Sequence, residues 1–382
     1  MADNNENKVL NVPHLRFPEF SGEWEMASLQ DIAAINPKSD QLQNTFIYID
    51  LEAVEKGELR KIQEIMREEA PSRAQRVINN NDILFQCVRP YQKNNYIHKI
   101  LNTSNQQWVA STGYAQIRTT ESPNYIYHLL NTDGFNRKVM VRCTGSSYPA
   151  INSEDLATIR FYYTPDKKEQ FKISRLLDLI DERIATQNKI IEDLKLLKSA
   201  ISLNVLHSDT WEQFKIKDIA QIGRGRVISS IEISQQKNPT YPVYSSQTSN
   251  DGIMGYLDDY MFEGEYISWT TDGANAGTVF YRNGKFNCTN VCGLLKLIKG
   301  FDTHFVSLVL AEATKKYVSI NLANPKLMNN TMGNIQICLP KLEEQKRISI
   351  VFRVLQRLWT VHNSLLTEYI KQKQYLLSQM FI

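Results

Sequence analysis

Positively charged and carboxamide side chains are concentrated in a few short polar segments of the chain. One of these segments follows an apolar run and contains Gln86, Arg89, Lys93, Asn94 and Asn95. Lysine suits phosphate, arginine can make two parallel hydrogen bonds to guanine, and asparagine or glutamine can do the same with adenine. The segment therefore favours nucleic-acid binding. The alternative is that Arg89 pairs with a carboxylate in a purely structural role.

Other segments of small polar residues have the same potential, because they let a phosphate backbone come close. In the first half of the chain the candidate residues are Ser111, Thr112, Tyr114, Arg142, Thr144, Ser146 and Tyr148. In the second half, Gly225 permits close approach while Arg224 and Arg226 bind phosphate or base. Polar loops there add Gln247, Thr248, Thr271, Asn275, Asn287, Thr289 and Asn290. Each loop is equally compatible with an ordinary turn.

The sequence lacks the motifs of enzymes that act on DNA. A methyltransferase needs a glycine-rich cofactor loop and a motif such as Asn-Pro-Pro-Tyr, and the nearest segment, 238–241, lacks the second proline. No Gly-x-x-x-x-Gly-Lys-Ser/Thr loop for ATP occurs. Cys288 and Cys292 form a single pair without a second pair at zinc spacing. We therefore expect a binding protein without a catalytic residue, metal or cofactor of its own.

Length and composition are those of a globular protein of two or three domains. The chain has 382 residues, of which 42% are hydrophobic, and its net charge is +3. Residues 82–150 contain seven Lys or Arg against three acidic residues, which concentrates positive charge there. Scattered cysteines, the lack of a membrane-spanning apolar run and a polar, flexible N-terminus at 1–14 without a signal peptide predict a cytoplasmic protein.

The polar segments lie in two globular blocks, residues 15–163 and 208–338. The first block mixes short strand-like and helical runs without a regular alternation, which is typical of the α+β class. Strand composition occurs at 47–51, 82–88, 114–118 and 157–163. Helical composition occurs at 52–69, which is rich in Glu, Lys and Arg, and at 123–132, which begins with proline.

The second block repeats the plan of the first with different residues. The ends of the two blocks match while their loops diverge, so we expect one scaffold in two copies with different specificities. The corresponding positions are Trp24 and Trp211, Asp31 and Asp218, the runs 81–85 and 264–268, and the segments that start at Ser111 and Cys288.

Each block is followed by a long amphipathic segment, 169–205 or 344–380. Apolar residues recur in both at alternating spacings of four and three, the 3.5-residue period of a coiled coil. The alternative is that each helix covers only the core of its own domain. The seam positions are Ile173, Leu177, Ile180, Ile184, Ile191 and Leu194 in the first helix and Ile348, Phe352, Leu355, Trp359, Leu366 and Tyr369 in the second. Polar residues interrupt the seams at equivalent places, at Gln187 and Lys198 and at His362 and Lys373.

Short motifs and their order connect the chain to a known family. The first block opens with Phe-Pro-Glu-Phe-Ser-Gly-Glu-Trp at 17–24, and the last helix starts with Leu-Pro-Lys-Leu-Glu-Glu-Gln-Lys-Arg-Ile at 339–348. Together with the duplicated helices, these motifs resemble a specificity subunit of a type I restriction-modification system along essentially the whole chain. The start of the first helix, 164–170, keeps the Pro, Glu and Gln of this pattern and lacks its leucine.

The resemblance implies two target recognition domains, 15–163 and 208–338, that alternate with a central helix, 164–207, and a C-terminal helix, 339–382. In that family the helices pack as an antiparallel coiled coil, and each domain reads half of a split DNA sequence. The helices measure the unread spacer and dock two modification (methyltransferase) subunits, and restriction subunits are possible further partners. S-adenosylmethionine, ATP and Mg²⁺ are then expected on the partners.

Two identical domains would favour a palindrome, whereas divergent loops on a duplicated frame predict an asymmetric two-part target. The alternative function is a coiled-coil scaffold whose globular domains bind protein partners.

Overall fold

The computed structural model describes residues 10–99, 106–206, 208, 210–319 and 324–382. It divides into two compact units, Met1–Lys189 with Ser364–Ile382, and Ile190–Asn363. Each unit therefore combines one globular part with a portion of each long helix. Of the flexible N-terminus expected at 1–14, residues 1–9 lie outside the described residues, and Asn11 accepts a hydrogen bond of 2.7 Å from the backbone N–H of Trp24.

The first unit is built around two four-stranded sheets. Its elements in chain order are β1 (Glu25–Ser28), α1 (Leu29–Ile32), β2 (Ala33–Ile35), β3 (Thr45–Ile49), β4 (Val54–Glu55), β5 (Glu58–Leu59), β6 (Gln63–Met66), β7 (Ala74–Ile78), β8 (Ile83–Gln86), β9 (Tyr96–Ile97), β10 (Gln107–Ser111), β11 (Tyr114–Thr119), α2 (Pro123–Leu130), α3 (Asp133–Arg142), α4 (Ser153–Ala157), β12 (Arg160–Tyr163) and α5 (Lys167–Val205).

One sheet has the order β6-β3-β10-β7 and the other the order β2-β11-β8-β9, while β1 pairs with β12. Only β3 and β10 among the paired strands of these described sheets run parallel. The strands predicted at 47–51, 82–88 and 114–118 are confirmed, with shifts of a few residues at their ends. The strand predicted at 157–163 begins only at Arg160, because the side chain of Asn152 accepts a hydrogen bond from the N–H of Asp155 and starts α4.

The helix predicted at 52–69 is wrong, since this segment forms β4, β5, β6 and a short 3₁₀ turn. Lys56 and Gly57, with φ of 50° and 84°, form the two-residue loop that connects β4 and β5. Such a loop, with positive φ at both central residues, matches the twist of a hairpin. Glu64, the one charged residue of β6, is exposed on an edge strand, and local composition alone does not distinguish such a strand from an exposed helix. The helix predicted at 123–132 is confirmed as α2, with Pro123 in its first turn.

The second unit repeats the strand order of the first. Its elements are β13 (Glu212–Lys215), α6 (Ile216–Ile219), β14 (Ala220–Arg224), α7 (Ser230–Ser234), β15 (Tyr241–Tyr244), β16 (Ile253–Leu257), β17 (Phe262–Glu263), β18 (Tyr266–Thr270), β19 (Val279–Arg282), β20 (Lys285–Cys288), β21 (Cys292–Leu297), α8 (Thr303–Ala313), α9 (Asn329–Asn334), β22 (Gln336–Leu339) and α10 (Leu342–Gln379). The sheet orders are β14-β21-β18-β19 and β16-β15-β20-β17, and β13 pairs with β22.

The duplication predicted from sequence is confirmed strand by strand. β8 and β18 occupy equivalent central places, and the turn after β10 corresponds to the turn after β20. Trp24 packs edge-on against Tyr125 of α2 with ring centroids 6.3 Å apart, and Trp211 packs against Phe305 of α8 at 5.9 Å. The repeated tryptophan therefore fixes the same helix to the same place in each globular part.

A buried glutamine fixes the start of each long helix in the same way. Gln170 donates to a carbonyl just before α5 at 2.8 Å and accepts from the backbone N–H of Ser122 at 2.9 Å. Gln345 donates to a carbonyl just before α10 at 2.8 Å and accepts from the backbone N–H of Asp302 at 2.9 Å. Ser122 and Asp302 precede α2 and α8, so the glutamine of the repeated motif connects two helices of each domain.

The two long helices run antiparallel, as predicted. In the first unit, Lys373 lies 2.6 Å from Asp181, which joins the end of α10 to the beginning of α5. In the second unit, Lys198 of late α5 donates to Gln356 of early α10 at 3.4 Å. Lys198 and Lys373, the polar interruptions of the seams, thus find polar partners on the opposite helix, which is how such residues specify register.

The seam residues at the helix ends are buried in the globular cores, whereas most of those in the middle are half-buried. Ile191 and Leu355 are the exceptions, at 6% and 7% exposed. The alternative reading, in which each helix covers its own domain, is therefore correct for the first part of each helix, while the last part of α10 packs in the core of the first globular part. Ile173, Leu177 and Ile180 join the first core, as do Leu376 and Met380, while Ile348 and Phe352 join the second. Ile184, Leu194, Trp359, Leu366 and Tyr369 are half-buried. Among the helices of the described residues, none is long and apolar enough to cross a membrane.

Candidate nucleic-acid interface

Four segments of the first unit meet at one end of its sheets. The N–H of Cys87, after β8, donates to the carbonyl of Gly113 at 3.0 Å, and the N–H of Thr112 donates to the carbonyl of Arg73 at 2.9 Å. The N–H of Arg89 donates to the carbonyl of Pro149 at 2.7 Å. We call this surface the first loop edge, formed by residues 73–76, 86–95, 111–113 and 144–150.

The half-buried Arg89 and the exposed Tyr148 form a pair on the first loop edge. The guanidinium of Arg89 lies 4.3 Å from the centroid of the Tyr148 ring, which itself is 63% exposed. Arg89 has φ of 53°, and Pro90 follows it at the start of a 3₁₀ turn, so the backbone reverses at this point. Stacking keeps the guanidinium plane fixed while its hydrogen-bond donors remain open to an acceptor. Thr144 and Ser146 are exposed in the same loop, and Thr112 is half-exposed.

Arg73 and Arg76 add positive charge that the sequence analysis missed. Arg73 is exposed just before β7, and Arg76 is half-buried on that strand, near the thiol of Cys87. Burial lowers the pKa of Arg76, and its Nε atom has no hydrogen-bond partner among the described residues. In the sequence this charge is visible as an Arg-x-x-Arg pair at the start of a strand, shortly after the segment 52–69 that was predicted to be a helix.

Four predicted contact residues of the first half are buried and build the edge rather than face outward. The backbone N–H of Gln86 donates to the side chain of Asn95 at 2.9 Å, and the Gln86 side chain donates to the Val88 carbonyl at 2.8 Å. The Tyr114 hydroxyl donates to a backbone carbonyl at 3.2 Å, and burial raises its pKa. Gln86, Asn95, Ser111 and Tyr114 are 3%, 2%, 3% and 0% exposed. Their assignment as contacts is corrected to a supporting role, because both faces of β8, β10 and β11 are covered at these positions and Asn95 is bound to the backbone of Gln86.

The remaining predicted residues of the first half bind other parts of the domain. Lys93 forms an ion pair of 2.6 Å with Asp133, and Asn94 accepts from the N–H of Lys56 at 2.9 Å. Arg142 lies on α3, where it donates to the Thr158 hydroxyl at 2.7 Å and to a neighbouring carbonyl. The structure does not bring Arg142 together with the first loop edge through any contact among the described residues.

The equivalent surface of the second unit joins five segments. The N–H of Arg226 donates to the carbonyl of Cys288 at 3.1 Å, that of Thr289 to Tyr244 at 2.9 Å, and that of Thr271 to Val291 at 3.1 Å. A Cβ at position 225 would lie 1.7 Å from the Cys288 carbonyl, so Gly225 is required for backbone contact inside the domain. We call this surface the second loop edge, formed by residues 224–226, 245–252, 271–275, 289–291 and 325–329.

The cations of the second loop edge are paired within the domain. Arg226 forms a two-pronged contact with the carboxylate of Glu232, and Arg224 donates to the Asn329 side chain at 2.9 Å. Lys326 lies 3.7 Å from Asp272. Behind the edge, the 2% exposed Arg282 donates to Asp251 at 2.8 Å and to Ser268 at 3.0 Å, and lies 3.6 Å from the Tyr244 ring centroid. These contacts fix the 245–252 loop.

The predicted polar contacts of the second half divide into exposed and buried residues. Thr248, Asn275 and Asn290 are exposed, and Gln247 is half-buried with its amide donating to the carbonyl of Ile253. Thr271, Asn287 and Thr289 are 0%, 0% and 4% exposed, and their assignment as contacts is corrected. Asn287 uses both ends of its amide inside the domain, accepting from Met261 at 3.1 Å and donating to Asp259 at 2.7 Å.

Metal chemistry is not suggested by the side chains. Cys288 and Cys292 are buried free thiols on β20 and β21. Across the described ranges, no group of three or more His, Cys, Asp or Glu residues is placed to hold a metal ion.

A second apolar stripe runs along α10, beside the seam. Its residues are Val351, Val354, Leu358, Val361 and Leu365, which are between 39% and 53% exposed and repeat at spacings of three and four. Such a repeat on an exposed face is the pattern by which a helix packs against a further helix. The corresponding positions of α5 are Leu176, Leu179, Arg183, Thr186 and Ile190, where two polar residues interrupt the stripe.

Comparisons with known proteins agree with this architecture. A family model described as "Type I restriction modification DNA specificity domain" matches residues 21–196 and again 208–371. The chain is 38% identical over 198 residues to a provisionally named type I specificity subunit of Mycoplasma pneumoniae, over 51% of this chain and 82% of that protein. It is 43% identical over 150 residues to the specificity subunit of the type I restriction enzyme MpnII of the same organism, over 39% and 44%.

Solved structures show the same fold at low sequence identity. The S subunit of a type I restriction-modification system from M. genitalium matches with a TM-score of 0.71 at 14% identity, over 97% of this chain and 99% of that one. A chain from a study of complex assembly and conformational transition of a type I system matches with a TM-score of 0.54 at 20% identity, over 94% and 97%.

Proposed function

Because the chain belongs to the type I restriction modification DNA specificity family, we propose that its two loop edges read the two parts of a split, asymmetric DNA target. The family resemblance found in the sequence is confirmed, as is the fold of two α+β domains with two long helices. Membership makes the chain the specificity component of a restriction-modification complex, which is not an enzyme by itself.

One observation carries the proposal: the frame of the two domains is the same, while their loop edges are chemically different. The first edge presents unpaired guanidiniums and the exposed Tyr148 ring, which can bind phosphate and guanine or stack on the sugar-phosphate backbone. The second presents the neutral side chains of Asn275 and Asn290, which suit base edges. Two different surfaces on one frame support an asymmetric target rather than a palindrome.

The catalytic steps then belong to partner subunits. In this proposal, modification subunits supply methyl transfer with S-adenosylmethionine, and restriction subunits supply ATP-dependent cleavage with Mg²⁺. The complex would act on DNA in the cytoplasm. The chain contributes position only, by holding the partners at a chosen sequence.

The exposed stripe of α10 supports docking of a modification subunit through helix packing. Val354, Leu358 and Val361 offer apolar contacts that the described residues of this chain leave exposed. We expect Leu358→Asp with Val361→Asp to abolish co-purification of the modification subunits, whereas Arg357→Ala, on an exposed position next to the stripe, should leave it unchanged. Equal co-purification by both variants would contradict this docking surface.

The length of the paired helices is proposed to set the number of unread base pairs. Inserting seven residues within 184–194 of α5, with a matching insertion in the facing part of α10, keeps the seam in phase. The spacer of the recognised sequence should then lengthen while both half-sites stay the same. A change in either half-site would contradict the proposed ruler.

The function as a whole is tested by selection from duplexes of random sequence, using the full chain with its modification subunits. The expected result is enrichment of one split sequence, with binding that weakens steeply as salt is added. Salt-insensitive binding without enrichment would contradict DNA reading and favour the alternative, a coiled-coil scaffold whose domains bind protein.

A further inference from the structure

The two loop edges differ in how their positive charges are balanced. On the first edge, Arg73, Arg76 and Arg89 form no ion pair with a carboxylate among the residues that the structure describes. They lie around the turn 111–113. The backbone of this turn is hydrogen-bonded to Arg73 and to Cys87, and the thiol of Cys87 lies near Arg76. The edge therefore carries three guanidiniums without an anionic partner.

Arg76 differs from the other two arginines because it carries a buried hydrogen-bond donor without a partner among the described residues. Its side chain is half-buried on β7, so its guanidinium has lost part of its water shell, and its Nε–H donates to no described acceptor. A buried charged group that has lost part of its water shell gains from an anionic partner. DNA supplies such acceptors for the outer nitrogens of the guanidinium, as phosphate oxygens and as O6 and N7 of guanine.

On the second edge two of the three equivalent charges are already neutralised by carboxylates, and the third, Arg224, is bound by an amide. Arg226 has Glu232, Lys326 has Asp272, and Arg224 donates to the Asn329 amide. A phosphate that displaced Glu232 would exchange one anionic partner for another and would leave the freed carboxylate close to the negative duplex. The net gain from such an exchange is small, because breaking an existing pair offsets the new one.

We infer that the first loop edge provides most of the electrostatic affinity for DNA, through Arg73, Arg76 and Arg89, and that the second edge binds mainly through neutral groups. This inference rests on the proposed function and assigns different roles in DNA binding to the two loop edges. The first domain anchors the duplex by displacing counterions, and the second adds discrimination with little dependence on salt.

Counterion release provides the measurement. Each phosphate contact contributes about 0.9 to the slope of log Kd against log salt concentration. The full chain is titrated onto a fluorescently labelled duplex of arbitrary sequence between 50 and 200 mM potassium acetate, and its anisotropy is recorded. The matched variants are Arg73→Ala with Arg76→Ala and Arg89→Ala on the first edge, and Arg224→Ala with Arg226→Ala and Lys326→Ala on the second.

The first triple variant should reduce the slope by about 2.7, so that the loss of affinity across this salt range becomes roughly 40-fold smaller. The second triple variant should reduce the slope by less than about 1. Because Arg76 is half-buried, the double variant Arg73→Ala with Arg89→Ala is measured as well, and a reduction of about 1.8 is expected. Thermal unfolding of each variant shows whether the domains remain folded.

Equal reductions by the two triple variants, or a larger one from the second, would overturn the inference while leaving DNA reading intact. An unchanged slope in the folded double variant would overturn it too. Failure of the proposed function looks different, because the unaltered chain would then show no salt-dependent binding to any duplex.

Discussion

The two globular parts have the same strand order but fill equivalent positions differently. In the first, Ala115 of β11 stands opposite Phe85 of β8, and in the second, Gly293 of β21 stands opposite Trp269 of β18. A larger aromatic ring is matched by a smaller partner, so the space between the strands is conserved although neither residue is. This teaches that packing preserves the frame, while residues beyond the strand ends are free to diverge.

The loop edges show where that freedom is used. Arg89 stacks on an exposed tyrosine and keeps its donors available, whereas Arg226 is held by Glu232 six residues later. An arginine thus keeps hydrogen-bond donors free in one domain, while an arginine of the other domain is paired with a carboxylate of that domain. Identity of residue type is therefore a poor guide to function at these edges, and the balance of charge around it is a better one.

We expect the largest loss of stability when a seam side chain is shortened where a long helix packs in a globular core. Leu177 and Phe352 occupy equivalent helix positions and are 0% and 1% exposed. Leu177→Ala should cost about 2–5 kcal/mol and Phe352→Ala about 3–5 kcal/mol of unfolding free energy. Chemical denaturation should show each variant lowering the stability of its own unit, and the half-buried Trp359→Ala provides a milder control. A cost below about 1 kcal/mol for either buried position would contradict the packing described.

Exchange of the small strand residues tests the packing comparison directly. An added Cβ at Gly293 would lie 2.2 Å from the Trp269 ring, so Gly293→Ala should cost about 1–3 kcal/mol. The reverse change in the first domain, Ala115→Gly, creates no clash and should cost about 0.5–1 kcal/mol. Thermal unfolding measures both. A milder effect for Gly293→Ala than for Ala115→Gly would show that Trp269 relaxes freely and that the match of sizes is accidental.

One histidine in each domain, the buried His98 and the half-buried His304, should make stability depend on pH. Burial lowers the pKa of His98 to about 4 and that of His304 to about 4, from an ordinary 6.5. The unfolded chain takes up protons near pH 6.5 while the folded chain resists until about 4, so stability is full above this window and falls as pH drops through it. The loss should be on the order of 2 kcal/mol per histidine.

Substitution separates the two histidines. Both ring nitrogens of His98 lack a hydrogen-bond partner among the described residues, so His98→Leu should remove its share of acid sensitivity without loss at neutral pH. His304 has a ring nitrogen 2.9 Å from the Ser349 hydroxyl, so His304→Leu should lose stability at neutral pH as well. Unfolding measured at pH 5 and 7.5 checks both. Unchanged acid sensitivity in His98→Leu would contradict the assigned cause.

The smallest expected effect converts the second edge toward the first. Glu232→Gln removes the carboxylate that binds Arg226. That carboxylate raises the pKa of Arg226, and without it the guanidinium still stays charged at neutral pH, so Arg226 becomes available to phosphate. The salt slope of DNA binding should increase by about 0.9, which is one contact. Glu312→Gln, which frees Lys315 just after α8 and away from the edge, is the control. An unchanged or decreased slope for Glu232→Gln would show that internal pairing does not limit this edge.

The sequence predicted the frame well because the frame depends on periodic and repeated features. The heptad pattern located both long helices within a few residues, and the recurrence of Trp24 at Trp211 identified the duplication. The segment 52–69 was misread because charged residues suit an edge strand as well as a helix, and the Lys56-Gly57 turn carries the decisive information. Whether such a segment becomes a strand or a helix depends on pairing with distant strands, which local composition does not reveal.

The candidate site was harder to predict, because exposure depends on contacts between distant segments. Tyr114 and Asn287 have the right chemistry for DNA but are buried in the domains by contacts with other segments. Arg76 was missed because its lack of a partner is visible only in three dimensions. Pairing of Arg226 with Glu232 likewise follows from the fold of a loop and not from the spacing of charges along the chain.

The central claim is that each domain reads its own part of one split target, and methylation profiling tests it most directly. Methylated adenines are mapped in cells that express this chain with modification subunits, and in cells that express a chimera whose residues 15–163 come from another member of the family. The predicted result is a split, asymmetric methylated sequence in which the chimera changes one half and preserves the other. Change of both halves, or an unchanged sequence, would contradict the claim.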